Sequence, residues 1–361
     1  MLTVSELAYT YPTAEGPAFG PIDASFSGGS LVVIAGRTGC GKSTLLRMLG
    51  GLLQRHGQGT VAGTVSFHGQ NPVEWTSSER AQNLGFVTQC PEDQIIAGTI
   101  QDELAFGLES AAMPLTQLSS VSAEWRTRSG LNANRNPQTL SGGQRQQLVI
   151  ASAVAAGAKL VLLDEPLSQL DPLAARRTVD MLAGLAKAGA TVIVVEHRLE
   201  PFWDVANRML IMDEGLIVAD SSPSEMDVTI LADLGLAVPS LLLFQNLDRA
   251  AEINRIDNHS GRGAQVPNCG RPTIEIGETQ HRYGPDESIV LSLPPIKLHE
   301  GTSVAVLGLN GSGKSTFLRS ICGSLQDGTI LHKGRIVGVP QDPDLTLFCP
   351  TVFDEIAYGP R

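Results

Sequence analysis

The chain has 361 residues, 42% of them hydrophobic and 17% charged, which excludes a disordered chain and exceeds the usual size of one hydrophobic core. A formal net charge of −11 argues against a sequence-independent grip on nucleic acid or on an anionic membrane surface, since both need clustered Lys and Arg. The five cysteines, Cys40, Cys90, Cys269, Cys322 and Cys349, form no metal-spaced pair and fit a reducing cytosol, and no apolar run reaches the ~20 residues that span a bilayer.

From the N-terminus, no basic segment leads into an apolar core, so no secretory signal is expected. A short polar-apolar segment up to Tyr11 reads as an early strand. The apolar, β-rich run Leu31 to Ala35 then meets Gly36, Arg37, Thr38, Gly39, Cys40, Gly41, Lys42, Ser43 and Thr44, followed by a helix-like run from Leu45 to Leu49. Strand, glycine-rich turn and helix in this order make a phosphate-binding loop. The glycines let successive N–H groups point inward, the helix N-terminus adds positive potential, Lys42 reaches the outer phosphates and Ser43 is placed to ligate Mg²⁺.

The stretch from Gly57 to Ser78 is Gly-rich, and its alternation at Thr64 to Phe67 predicts a surface hairpin. Further on, Leu140, Ser141, Gly142, Gly143 and Gln144 open a helix-like run from Gln146 to Ala156. A Ser-Gly-Gly helix start is an anion cradle, or, on the plainer reading, an N-cap with glycines in its turn. Leu160 to Leu163 is an apolar strand that ends in Asp164 and Glu165. Ligands collect at the carboxyl ends of parallel strands, so Asp164 is placed to hold Mg²⁺ and Glu165 to polarise an attacking water as general base. The plainer reading is a buried strand capped by solvated acids. The run Thr191 to Glu196 brings in His197, and a lone histidine at a strand end is by itself more often structural.

Much of this repeats. Gly308, Leu309, Asn310, Gly311, Ser312, Gly313, Lys314, Ser315 and Thr316 echo the first loop, with the apolar run Val304 to Leu307 before them and a helix-like run Phe317 to Ile321 after. Tyr283 stands as far before Gly308 as Tyr11 stands before Gly36. Val339, Pro340 and Gln341 match Val87, Thr88 and Gln89, while Ala357 to Gly359 match Ala105 to Gly107. The second copy is shorter between its loop and these blocks, where the first copy carries the predicted hairpin. The expected organisation is a complete domain over 1–240, a linker over 241–273 and a truncated second copy over 274–361. That copy holds no counterpart of the Ser141 string, of Asp164 and Glu165 at their strand end, or of His197, so no complete site is expected between the two copies. A sheet lacking its central partners should also leave apolar strand faces exposed.

With these motifs in this order the chain resembles the ABC ATPase family. The resemblance implies an α/β P-loop NTPase fold with a RecA-like core, an antiparallel β subdomain and a helical subdomain, followed by a partial second copy. It implies ATP and Mg²⁺ as cofactors and ATP hydrolysis as the activity. Tyr11 and Tyr283 would stack on adenine, and Gln89 and Gln341 would link Mg²⁺ to the helical subdomain. Ser315 would repeat the Mg²⁺ role of Ser43. Ser168 to Asp171 would lie at the domain contact, and His197 would meet the γ-phosphate. Ser141 to Gln144 would face ATP on the loop of another ABC ATPase domain, in a homodimer or with a paralogue.

Narrower marks look like the energy-coupling-factor (ECF) importer ATPases: Gln89 to Gln94, Asp102 to Gly107, Glu196 to Leu199, Gln341 to Asp344 and Pro350 to Glu355. That resemblance implies a peripheral protein on the cytoplasmic face of the cell membrane. It would dock beneath a transmembrane coupling subunit, itself joined to a substrate-binding membrane subunit, and energise import of a vitamin, a vitamin precursor, cobalt or nickel. Ile95 to Leu108 would touch the coupling helices or simply pack within the helical subdomain. Two other readings stand beside it: a soluble paired-domain ABC protein acting on ribosomes or nucleic acid, and an inactive truncated fragment. The first predicts a long, charged, helical linker, whereas Asn246 to Thr273 is short and rich in Gly, Asn and Pro, so no nucleic-acid partner is expected.

Overall fold

The computed structural model describes residues 1–53, 59–129, 131–168, 170–239, 272–281, 291–308, 312–322, 330–332, 336–339 and 347–358. It divides into two compact units, Met1–Ile256 and Asp257–Arg361. Nearly all of the stretch expected to be a linker lies outside the described residues, as do Tyr283, Leu309, Asn310, Gly311 and Gln341.

Unit 1 is built on a six-stranded sheet in the order β5-β6-β7-β3-β8-β9. Its strands are β3 (Leu31–Gly36), β5 (Leu84–Val87), β6 (Leu160–Asp164), β7 (Thr191–Val195), β8 (Arg208–Asp213) and β9 (Leu216–Ser221). All neighbours are parallel except β8 and β9. The continuous apolar runs follow from burial on both faces, because period-two alternation sends successive side chains to opposite sides. Val33, Leu163 and Val194 enter one core with α5 (Gly142–Val154) and α6 (Pro172–Lys187). Val32, Ile34, Leu162 and Ile193 enter the other, with α1 (Lys42–Leu49).

That second core is closed by an antiparallel sheet of β1 (Leu2–Thr10), β2 (Phe19–Phe26) and β4 (Thr60–Phe67), in the order β2-β1-β4. Here the structure corrects the expected surface hairpin. Thr64 to Phe67 belong to β4, which pairs with β1 rather than with an adjacent hairpin arm, and Val65 and Phe67 point into the core. The alternation was real, but it marks a strand with one buried face. Helices α2 (Ser77–Asn83), α3 (Ile100–Ser110) and α4 (Leu115–Ser129) precede α5 in sequence, and α3 packs against both α4 and α5. The short α7 (Val228–Asp233) follows β9. Among the described residues, no helix is long and apolar enough to cross a membrane.

Unit 2 repeats the beginning of unit 1. Strands β10 (Pro272–Ile276), β13 (Ile296–His299) and β14 (Ile330–His332) form a sheet in the order β13-β10-β14, as β2-β1-β4 do in unit 1, and β11 (Thr279–His281) pairs with β12 (Leu291–Leu293). Helix α8 (Lys314–Ile321) turns Phe317 and Ile321 onto Ile276 and Leu291, and α9 (Val352–Tyr358) comes last.

The run Val304 to Leu307 is not a strand, against the sequence expectation. It is irregular, with Val304 58% and Leu307 90% exposed, whereas its counterpart β3 is fully buried. The reason lies in partners: β3 is hydrogen-bonded to β7 and β8, and no counterparts of those strands flank Val304 to Leu307 among the described residues. An apolar run earns strand geometry only from the ladder beside it. Val337 and Val339 are likewise exposed.

Candidate functional site

The parallel strands bring their carboxyl ends to one edge of unit 1, and the site is assembled there. Asp164 of β6 lies level with Val195 of β7, which in turn lies level with Ile34 of β3, two residues before the loop glycine Gly36. Crossing hydrogen bonds pin the exits of these strands: Glu165 N–H donates to Val195 O at 2.9 Å, and Glu196 N–H donates to Ile34 O at 3.1 Å.

The loop itself requires glycine. Gly36 has φ 154°, and a Cβ there would stand 2.1 Å from Met212 O; Gly41, with φ 97°, would meet Ala18 O at 2.3 Å. The backbone therefore lies tight against its neighbours while Arg37, Thr38 and Gly39 remain exposed at the rim. Lys42 is buried, and its ammonium donates to Gly36 O at 2.8 Å and Arg37 O at 2.7 Å, with Cys40 Sγ at 3.7 Å. Its charge is thus held at the throat of the loop, where it would meet a phosphate. Tyr11, just past β1, sets its hydroxyl 3.2 Å from Thr44 Oγ1 and its ring edge-on to Tyr9.

Next to the loop, Ser43 Oγ donates to Asp164 Oδ1 at 2.9 Å. Asp164 is 3% exposed, and burial pushes its carboxyl above the usual range, opposed by the Ser43 hydrogen bond. Glu165 has φ 49°, an uncommon conformation for a non-glycine residue, of a kind that clusters at functional sites. The turn aims its carboxylate at two groups from distant parts of the chain. Gln89 Nε2 donates to Oε2 at 3.0 Å, and His197 Nε2 lies 3.2 Å from Oε1. Chemically, this edge offers a cationic cradle for phosphates, a pair of hard oxygen donors at Ser43 and Asp164, and a carboxylate oriented by an amide and an imidazole.

Ser141 caps α5. Its hydroxyl accepts from Gln144 N–H at 3.3 Å while Gln144 Oε1 accepts from Ser141 N–H at 3.2 Å. Both sequence readings of this string were therefore compatible with the geometry, because the cap leaves Gly142 and Gly143 in the first turn. No hydrogen bond or ion pair among the described residues joins Ser141 to Gln144 with the loop of unit 1.

In unit 2 the loop repeats where it is described. Gly308 has φ 159° and Gly313 φ 88°, and Lys314 Nζ donates to Gly308 O at 2.8 Å, matching Lys42 and Gly36. Ser312 and Ser315 are exposed, and Thr316 is buried. The agreement extends downstream. Glu103 accepts from Ile96 and Ala97 N–H groups at 3.0 and 2.9 Å, and Glu355 accepts from Phe348 and Cys349 N–H groups at 3.1 and 2.7 Å. Thr99 and Asp102 cap α3 as Thr351 and Asp354 cap α9.

Sequence reasoning did not single out Glu196 or Arg198 as site residues, although both stood within a noted motif. Glu196 is 2% exposed, and its two oxygens accept from the N–H groups of Leu167, His197 and Arg198. An ionisable residue inside an otherwise apolar strand end is the signal that could have found it.

The family model described as ABC transporter matches residues 19–168 and 294–346. A putative ABC transporter ATP-binding protein of Methanosarcina mazei is 30% identical over 407 residues, covering 100% of this chain and 70% of that relative. One from Enterococcus faecalis is 28% identical over 397 residues, covering 99% of this chain and 70% of that relative. Among solved structures, the dimeric ATP-binding cassette MJ0796 in a post-hydrolysis state bound to ADP and Pi superimposes with a TM-score of 0.55 at 25% identity, over 62% of this chain and 99% of that one. CbiO1 from Clostridium perfringens, part of an ABC transporter complex, has a TM-score of 0.57 at 22% identity, covering 71% of this chain and 98% of that one, and shares the fold.

Proposed function

The chain belongs to the ABC transporter ATP-binding family, and on that premise we propose that this ATP-hydrolysing subunit energises an ECF-type importer for a vitamin, a vitamin precursor or a cobalt or nickel ion. The observation that carries the catalytic part is the meeting of Gln89, Glu165 and His197 beside the Ser43–Asp164 pair. In this reading Lys42 and the loop N–H groups of Gly36 to Thr44 hold the phosphates, and Tyr11 stacks on adenine. Glu165 takes the proton of the attacking water, while His197 and Gln89 orient it toward the γ-phosphate. Ser43, Asp164 and Gln89 supply oxygen donors of the hard kind that Mg²⁺ takes, and when bound the ion neutralises phosphate charge.

Among the described residues, no hydrogen bond or ion pair joins Ser141 to Gln144 with the loop of their own unit, which leaves them open to face ATP on another ABC ATPase domain, in a second copy or a paralogous subunit. The loop of unit 2, with Lys314, Ser315 and Thr316, is a second phosphate cradle in this reading. Tyr283, Gly308 to Gly313 and Gln341 would complete it. The boundaries 1–240, 241–273 and 274–361 remain our division of the chain into complete domain, linker and partial copy.

Docking under a transmembrane coupling subunit, itself joined to a substrate-binding membrane subunit, would place the protein at the cytoplasmic face of the membrane. A cleft lined by Leu52, Arg80, Phe86, Gln94, Phe106 and Val149 supports this, because Phe106 and nearby Ile96 expose apolar surface beside it. The importer class itself is supported by the run Gln89 to Gln94 and by Glu196 to Leu199. The test is the ATPase rate per chain against protein concentration. A rate that rises with concentration supports assembly of a composite site, and a full rate at every dilution overturns it.

A further inference from the structure

His197 does not stand alone at its strand end. Glu196 before it is buried and accepts three backbone N–H bonds, from Leu167 at 3.1 Å on one oxygen and from His197 and Arg198 at 3.0 and 3.3 Å on the other. Arg198 after it returns the contact: its guanidinium donates to Leu167 O at 3.1 Å and reaches Leu170 O at 3.5 Å. The residues on either side of the histidine therefore hold Leu167 and Leu170, which follow Glu165 and lead into Asp171, the N-cap of α6.

A carboxylate that bonds its own following N–H groups fixes the backbone on which the imidazole hangs, and a guanidinium bound to carbonyls of the loop after the neighbouring strand fixes that loop. Neither side chain is hydrogen-bonded to the Glu165 carboxylate, so the contacts each makes are with the backbone it holds, while Glu196 also feels the Glu165 charge. Burial raises the Glu196 carboxyl above its usual range, against its three N–H donors, so the group is kept where it is costly to desolvate.

We infer that Glu196 and Arg198 are positioning residues for the ATPase reaction: together they clasp Leu167 and Leu170 to the backbone of His197, so that the histidine and the contact loop that leads into Asp171 move as one body. This rests on the proposed role of His197. It adds that the state of the histidine and the state of the contact loop are coupled within one domain by these two side chains. Displacing the contact loop would displace the imidazole from Glu165, and the reverse.

The experiment is a double-mutant cycle on the full chain. Glu196→Gln keeps the size but turns one acceptor oxygen into an N–H₂ group facing a backbone donor, and Arg198→Lys keeps the charge but loses the planar fork. Each should lower kcat by about tenfold or more while ATP affinity stays within about twofold, because the phosphate loop is untouched. In a His197→Ala background the same substitutions should lower the residual rate by less than about twofold, since the group they position is gone. Equal losses in both backgrounds, or a parallel loss of ATP binding, would overturn the clasp.

Absence of turnover in the unaltered chain would instead count against the ATPase reading. The clasp is then decided by hydrogen exchange. Protection of the Leu167, His197 and Arg198 amides should fall together in Glu196→Gln at an unchanged melting temperature. Retained protection of all three would refute it.

Discussion

His197 Nε2 lies 3.2 Å from Glu165 Oε1, and the two residues reach that distance from the ends of adjacent parallel strands. The other Glu165 oxygen takes the Gln89 amide at 3.0 Å, so the carboxylate is oriented on both sides before any nucleotide is considered. Glu165→Gln should therefore leave ATP binding intact and lower turnover by about 10²–10⁴-fold, the range over which a general base contributes. Equilibrium binding of a fluorescent ATP analogue, beside phosphate release, checks both halves. A variant that still turns over at near the normal rate would remove Glu165 from the chemistry.

Asp164 is buried beside the phosphate loop, with Ser43 as its hydrogen-bond partner. Its carboxyl is raised above the usual range, chiefly by burial, so the folded chain holds that proton more tightly than the unfolded chain does. Stability linked to the group is then present below its unfolded pKa and is lost as pH rises through the folded one. Asp164→Asn should melt higher than the unaltered chain in the absence of nucleotide, with a margin that widens from acid toward neutral pH, while hydrolysis is lost. Calorimetry across a pH series reads this directly, and a margin that narrows toward neutral pH would contradict it.

Glu103 and Glu355 make the same pair of backbone hydrogen bonds in the two copies but in different surroundings. Glu103 is 3% exposed, whereas Glu355 is half-buried and its bond from Phe348 is open to solvent. Glu103→Ala strands the Ile96 and Ala97 N–H groups, at a cost of about 1–3 kcal/mol for a buried unsatisfied group. At Glu355 water can replace the carboxylate, and Glu355→Ala should lower stability far less. Chemical denaturation of the two variants decides it, and equal losses would mean the shared geometry matters more than burial.

Cys40 is 5% exposed inside the phosphate loop, and its sulfur lies 3.7 Å from the Lys42 ammonium, whereas Cys90 is exposed. Accessibility sets the order of attack by a thiol reagent. Iodoacetamide should label Cys90 well before Cys40, and loss of ATP binding should track the slower event. Peptide mass mapping against time distinguishes the two sites, and labelling of Cys40 at the rate of Cys90 would show that the loop opens.

Local chemistry was legible without coordinates. A phosphate loop needs glycines, a lysine and a helix start within a few residues of one another, and an apolar strand ending in Asp164 and Glu165 announces itself by composition. Those features are contiguous because the physics that makes them work acts over a few backbone units. Even the repeat of Thr99, Asp102 and Glu103 at Thr351, Asp354 and Glu355 was implicit in the matched order of the two copies.

Convergence was decided only by the tertiary structure. Gln89, Glu165 and His197 meet because β5, β6 and β7 lie side by side in one sheet, although 76 residues of chain separate Gln89 from Glu165. Non-local pairing likewise turned Thr64 to Phe67 into a core strand rather than a hairpin arm, and Val304 to Leu307, with no strand beside them among the described residues, are irregular despite an apolar composition like that of β3. Glu196 reads in sequence as one more residue beside a histidine. Only the fold shows its oxygens enclosed by three N–H groups, because the loop that supplies one of them, at Leu167, arrives from the neighbouring strand.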